Sequence, residues 1–222
     1  MWDRVQSLLT TPALALDIPS RVQSVTPDGC AAAAVSELDL RGVGSVVLVL
    51  HSLSGVLAPG LAQRLDPRLK GCVFVSGVIP PPGGSFLDAF GFVSRLVLRV
   101  LFRFTPRGLE PSAEMIRAEL CNDLSDQDAE QLTARYAAEW PGLYLTPAGT
   151  MPDHISTVYV RLSRDRNVTS KQQALIIARL RSPRIHTTNA GHMAMLSSPA
   201  ELAKVLDAEA QNAAPGTSPG DG

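Results

Sequence analysis

Val46-Val-Leu-Val-Leu50 is an unbroken β-branched and leucine run with no polar alternation. A run of that kind reads as a strand covered on both faces, the condition of a parallel sheet lying between helices. The residues that follow narrow the choice further. His51-Ser-Leu-Ser-Gly55 leads into helical spacing as far as about Leu65, Asp66-Pro67 starts a loop, and a second apolar strand spans Cys72 to Ser76. Strand, helix and strand within about thirty residues make a βαβ unit, so the sheet is parallel and at least partly doubly wound.

With 45% apolar and 18% charged residues over 222 positions, the chain has material for one sizeable core. Disordered, collagen-like and coiled-coil classes are excluded on that composition. Twenty basic against twenty-one acidic side chains leave a net charge of −1, and no bulk attraction for nucleic acid. The cysteines, Cys30, Cys72 and Cys121, are odd in number and lack C-x-x-C spacing, which argues against a disulfide framework or a zinc site and for a reducing compartment. Asp3 precedes any apolar run, so the first residues do not read as a secretory signal, and no apolar run approaches the ~20 residues of a bilayer span. The expectation is a soluble, cytoplasmic protein with no membrane and no nucleic-acid partner; oligomeric state stays open.

Elsewhere the pattern predicts a helix over Trp2 to Leu9, a short strand over Ala13 to Ile18, a turn at 26 to 29 and a helix through the alanine run to Leu38. After Gly77 the chain turns helical, over Phe90 to Phe104 and Ser112 to Trp140. A third strand, Thr157 to Leu162, then resumes the sheet, followed by a helix (Ser170 to Leu180), a strand (Arg184 to Thr187) and a last helix (Pro199 to about Ala210). Arg95, Arg99 and Arg103 recur every four residues, a basic stripe on an apolar helix; with no second basic cluster it reads as the solvated face of a cap helix ahead of its alternative, contact with a membrane or an acidic partner.

Ser52 lies between a buried strand and a helix, where a tight turn exposes a hydroxyl at a helix N-terminus. Such an elbow ordinarily has small residues two positions either side of the serine. Ser54 satisfies this and Leu50 does not, so Ser52 reads either as a nucleophile or as a helix N-cap. A serine nucleophile needs a base, and the base needs an orienting carboxylate. His192, in the loop between the fourth strand and the last helix, and Asp165, just past the third strand, fall on the same carboxyl edge of the sheet as Ser52. Arg164 and Arg166 flank Asp165 and are expected to keep it ionised. The competing Asp153 precedes the third strand and should emerge at the opposite edge.

Three stretches resemble the α/β-hydrolase superfamily: Val47-Leu-Val-Leu-His-Ser-Leu-Ser-Gly55, Tyr159-Val-Arg-Leu-Ser-Arg-Asp-Arg166 and Gly191-His-Met-Ala-Met-Leu-Ser-Ser-Pro199. Within it they are most similar to the small carboxylesterases of the methyl-salicylate esterase type and the hydroxynitrile lyases, and Cys121-Asn-Asp-Leu-Ser-Asp126 resembles that branch's cap segment. The resemblance, over roughly residues 2 to 208, implies an α/β fold, a mostly parallel sheet with helices on both faces, with a core over 1–84 and 151–211 and a helical cap over 85–150; the polar, Pro/Gly-rich 212–222 reads as a disordered tail. The resemblance implies Ser52 as nucleophile, His192 as general base and acid, Asp165 as its partner and the Leu53 backbone N–H as an oxyanion donor, acting on a small ester without an organic cofactor; Met193, beside His192, reads as an apolar pocket wall, and no His/Cys/Asp cluster has metal-ligand spacing.

The resemblance also leads one to expect a strand and a His-Gly loop ahead of the Trp2-x-x-Val5 helix, supplying a second oxyanion N–H. The sequence starts at that helix, so either the start site is misassigned or the chain is a degenerate relative, and a catalytically weak binding protein is carried as an alternative. Met193 stands where the similar lyases carry a lysine, which places the lyase reading third.

Overall fold

The computed structural model of the chain describes residues 1–213. Among them, β1 (Val46–His51), β2 (Leu69–Val75), β3 (Thr157–Leu162) and β4 (Arg184–Thr188) form one sheet in chain order, every neighbouring pair parallel. Around it lie α1 (Asp3–Gln6), α2 (Pro27–Leu40), α3 (Ala58–Leu65), α4 (Phe92–Phe104), α5 (Ala113–Leu120), α6 (Asp126–Arg135), α7 (Gly142–Leu145), α8 (Ser170–Ile177), α9 (Ala194–Ser197) and α10 (Pro199–Ala213).

The apolar runs are continuous because successive side chains point to opposite, equally buried faces. Cys72, Phe74 and Tyr159 join one core cluster with Ala31 of α2, Leu61 of α3 and Ile176 of α8. Val73, Val75, Val158 and Val160 join the other with Val5 of α1, Met195 of α9 and Leu202 of α10. Each large side chain so buried contributes about 1.5–3 kcal/mol before entropy is counted. The alanine run of α2 lets α3 approach closely: a Cβ on Gly60 would sit 3.0 Å from that of Ala31. β1 is different. Among the described residues it borders only β2, and Val49 stays 37% exposed.

Between β2 and β3 the chain leaves the sheet for α4 to α7, as the pattern predicts, but with different internal boundaries. The expected helix over Ser112 to Trp140 is two helices, because Ser125 caps α6 by accepting from the Asp128 N–H, and α6 ends at Arg135. The predicted turn at 26 to 29 is the first turn of α2, capped by Thr26, which accepts from the Gly29 N–H, with Pro27 at its first position. The helix predicted over Trp2 to Leu9 shrinks to one turn, α1.

Ala13 to Ile18 forms no strand. A strand exists only with a ladder neighbour, and no described segment pairs with this one, although Leu16 and Ile18 still pack on the core. α10 runs through Asn212 and Ala213, where the sequence predicts the start of the tail; the rest of that tail, 214–222, lies outside the described residues.

Candidate active site

Each of the four strands delivers one polar residue just past its carboxyl end: Ser52 after β1, Ser76 after β2, Asp165 after β3 and His192 after β4. This edge is where open parallel sheets collect functional groups. Ser52 turns the chain out of β1 into a 3-10 turn (Ser52–Leu57) with a left-handed φ of 52°, a conformation that costs a non-glycine residue energy. The turn is held by the Val78 N–H donating to the Ser52 carbonyl at 2.9 Å and the Ser54 hydroxyl donating to the His51 carbonyl at 2.7 Å. Gly55 is obligatory there, since a Cβ would lie 2.6 Å from the Val78 carbonyl oxygen. Leu50 fits despite its size because its side chain enters the core, and the clearance at its carbonyl comes from Gly77, whose Cβ would stand 2.9 Å from that oxygen.

The sequence-predicted residues meet in a hydrogen-bonded chain. The Ser52 hydroxyl donates to His192 Nε2 at 2.9 Å, and His192 Nδ1–H donates to Asp165 Oδ2 at 2.8 Å. His192 and Asp165 are both buried. Burial pushes the Asp165 carboxyl up, but hydrogen bonds from His192, Ser76 and the Val168 N–H, with the His192 charge, outweigh it and hold the group below the usual carboxylate range. The Ser76 hydroxyl donates to Oδ2 at 2.6 Å, while the Asn167 and Val168 N–H groups donate to Oδ1 at 2.8 and 2.9 Å.

Of the flanking arginines expected to keep Asp165 ionised, Arg164 turns instead to Asp123 and the Asn189 carbonyl. Asp153 is exposed and pairs with Arg181 at 3.1 Å, away from this chain of bonds.

Sequence reasoning missed three supports. Ser76 is one; its signal is a lone hydroxyl ending an otherwise apolar buried strand. His51 is the second, its Nε2–H donating to the His192 carbonyl at 2.8 Å with the two rings 4.7 Å apart. Burial, then the neighbouring His192, push the His51 imidazole down to about 3, so it is neutral and its tautomer is set by that bond.

The third is the turn between α5 and α6. Asp123 accepts from the Gly191 N–H, and Asn122 Nδ2 donates to the Arg164 carbonyl at 3.0 Å, tying the loops that carry His192 and Asp165. Gly191 is needed because a Cβ would fall 2.4 Å from Asp123 Oδ1.

Leu53 is half-buried and packs on the first core cluster, and its N–H belongs to the first turn after β1, where a helix has no internal acceptor. Met193 is buried in the second core cluster, with α1 and α10. A cleft of about 210 Å³ opens at the opposite end of the strands, beside Lys70, Arg184 and Glu209, and does not include Ser52.

The described helices include none long and apolar enough to cross a membrane. A search of curated proteins gives no match. Solved structures do match. An extracellular alpha/beta-hydrolase from a Paenibacillus species, described as sharing structural and functional homology with tobacco salicylic acid binding protein 2, is 20% identical, with 92% of this chain and 91% of that one covered and a TM-score of 0.76. A pyrethroid hydrolase from Sphingobium faniae is 18% identical over 95% of this chain and 91% of its own, with a TM-score of 0.77. Tomato methylketone synthase I complexed with 2-tridecanone is 14% identical over 95% and 92%, with a TM-score of 0.74. At these identities the likeness speaks for the fold. The model of the alpha/beta hydrolase family matches residues 1–205, nearly all of the described chain, and the chain therefore belongs to that family.

Proposed function

We propose that the chain is a serine hydrolase of small carboxylic esters, close in kind to the small carboxylesterases. The observation that carries this reading is the continuous bond chain from Ser52 Oγ through His192 to Asp165. Ser52 Oγ attacks the ester carbonyl carbon as its proton passes to His192 Nε2, and the resulting oxyanion is met by the Leu53 N–H. His192 returns that proton to the departing alkoxide, leaving an acyl-enzyme on Ser52. Water then attacks the acyl carbon, giving its proton to Nε2, and collapse returns the proton to Ser52 and releases the carboxylic acid. Asp165, held ionised by its donors, keeps Nδ1 protonated and Nε2 free to accept. The helices between β2 and β3 serve as the cap over the acyl and alcohol groups. Hydrolysis of a short p-nitrophenyl ester tests this: Ser52→Ala should lose about 10⁴-fold or more of kcat, and turnover at the parent rate would reject it.

One observation favours a second reading, ligand binding with weak turnover. β1 is an edge of the sheet among the described residues, and the resemblance expects a second oxyanion donor from a strand and loop ahead of α1. One lost donor costs ~10²–10³ in rate. That reading predicts saturable binding of an ester analogue without burst release of its alcohol.

A further inference from the structure

The arginine spacing of helix α4 predicts a basic solvated face, but what the helix shows to solvent is mostly apolar. Phe104 is 77% exposed and Val93 72%, and Phe92, Leu96, Val97, Val100 and Leu101 are each close to half exposed or more. At roughly 100° per residue these seven cover one continuous side of the helix, about 20 Å long. Phe102, on the opposite side, is the residue that buries into the protein, against the Tyr144 ring. Arg95, Arg99 and Arg103 line one flank of the apolar arc, and α4 carries no acidic residue. Asp88 pairs with Arg95 and Arg99, at 3.1 and 3.5 Å, whereas Arg103 and the nearby Arg107 have no ion-pair partner among the described residues. Single exposed apolar residues are ordinary. Seven in one helical face, bordered by arginine, are not.

We propose that α4 is a docking face for an anionic phospholipid bilayer, lying in the plane of the membrane with its valine, leucine and phenylalanine side chains among the upper acyl chains and its arginines at the headgroup phosphates. Charge selects this occupant. An apolar arc with a cationic flank is the pattern of helices that rest on, without crossing, a bilayer. A second copy packed antiparallel on this face, about a two-fold axis along the arginine side, would bring arginine rows of the same sign together, with no acidic residue on α4 to offset them. Docking is independent of the chemistry at Ser52, so it stands or falls separately from the hydrolase reading.

Co-sedimentation with vesicles tests the docking. The full chain should pellet with phosphatidylcholine–phosphatidylglycerol vesicles and stay in the supernatant with phosphatidylcholine alone. A Val97→Glu, Val100→Glu variant, changed only at exposed positions, should lose about tenfold or more of the partitioning while keeping the parent's circular dichroism spectrum and urea midpoint. Arg103→Gln, which leaves the apolar face whole, should lose about fivefold. Parent protein that ignores anionic vesicles, binds neutral ones equally, or binds undiminished after either change overturns the proposal. So does a dimer in solution that the double glutamate variant converts to monomer, since a second copy would then be the occupant.

Discussion

Replacing Asp165 by Asn is expected to remove most of the activity while leaving the fold in place, and the local bonds say why. Oδ1 accepts from two backbone N–H groups, of Asn167 and Val168, neither of which can rotate away. In the Asp165→Asn variant the side-chain carbonyl oxygen must therefore take the Oδ1 position, which puts the amide NH2 where Oδ2 met Ser76 and His192. The Ser76 hydroxyl adapts by accepting instead of donating. His192 adapts by turning Nδ1 into an acceptor, so the ring proton moves to Nε2 and points at Ser52 Oγ. The imidazole then has no lone pair for the serine proton.

A wrong tautomer of this kind costs up to ~10⁴ in kcat in other triads. Stability should fall by only about 1–3 kcal/mol, the value of hydrogen bonds to a charged group exchanged for neutral ones. Steady-state kinetics on a short p-nitrophenyl ester, with denaturant unfolding in parallel, read both quantities. Asp153→Asn, altering an exposed pair with Arg181, should leave both near parent values. Parent-like kcat in Asp165→Asn, or loss of activity in Asp153→Asn alone, would refute the assignment of Asp165 as the partner of His192.

His51→Phe removes the donor to the His192 carbonyl, and kcat should fall about tenfold with KM little changed, the rate equivalent of one positioning bond. The same residue shapes acid stability. Its folded value, about 3, lies below the ordinary histidine value of about 6.5, so its contribution is complete above pH ~6.5 and is lost as pH falls toward 3, by up to about 5 kcal/mol. Urea midpoints between pH 7.5 and 4.5 should accordingly drop less steeply in His51→Phe than in the parent. Gly55→Ala drives a methyl into the Val78 backbone and should lower unfolding free energy by about 2–3 kcal/mol, whereas Gly44→Ala, with open space around it, should change it by less than about 0.5.

β2 and β3 were legible because burial on both faces leaves a nearly unbroken apolar run; β1 shows the same run although it is half-exposed at the sheet's edge, β4 is a short, mostly exposed Arg-Ile-His-Thr-Thr strand, and chain direction sends Ser52, Asp165 and His192 to one edge. The same reasoning separates Asp165 from Asp153. The alternation at Ala13 to Ile18 misleads because strand character also requires a neighbour, which a local pattern does not report. Ser76 and His51 act through partners distant in sequence, Asp165 and the His192 backbone, so no spacing rule points to them. Hydropathy locates α4 as a helix, yet whether its apolar side meets the core or solvent depends on packing, which places Phe102 alone inside. The arginines beside Asp165 look like its charge partners in sequence. Its actual partners are a hydroxyl, two N–H groups and an imidazole.

The most direct test of the central claim is intact-protein mass spectrometry after incubation with a fluorophosphonate, followed by peptide mapping. The account predicts one adduct, on the peptide containing Ser52, that is absent in Ser52→Ala and strongly slowed in Asp165→Asn. An unlabelled parent chain, or an adduct that persists in Ser52→Ala, would contradict it.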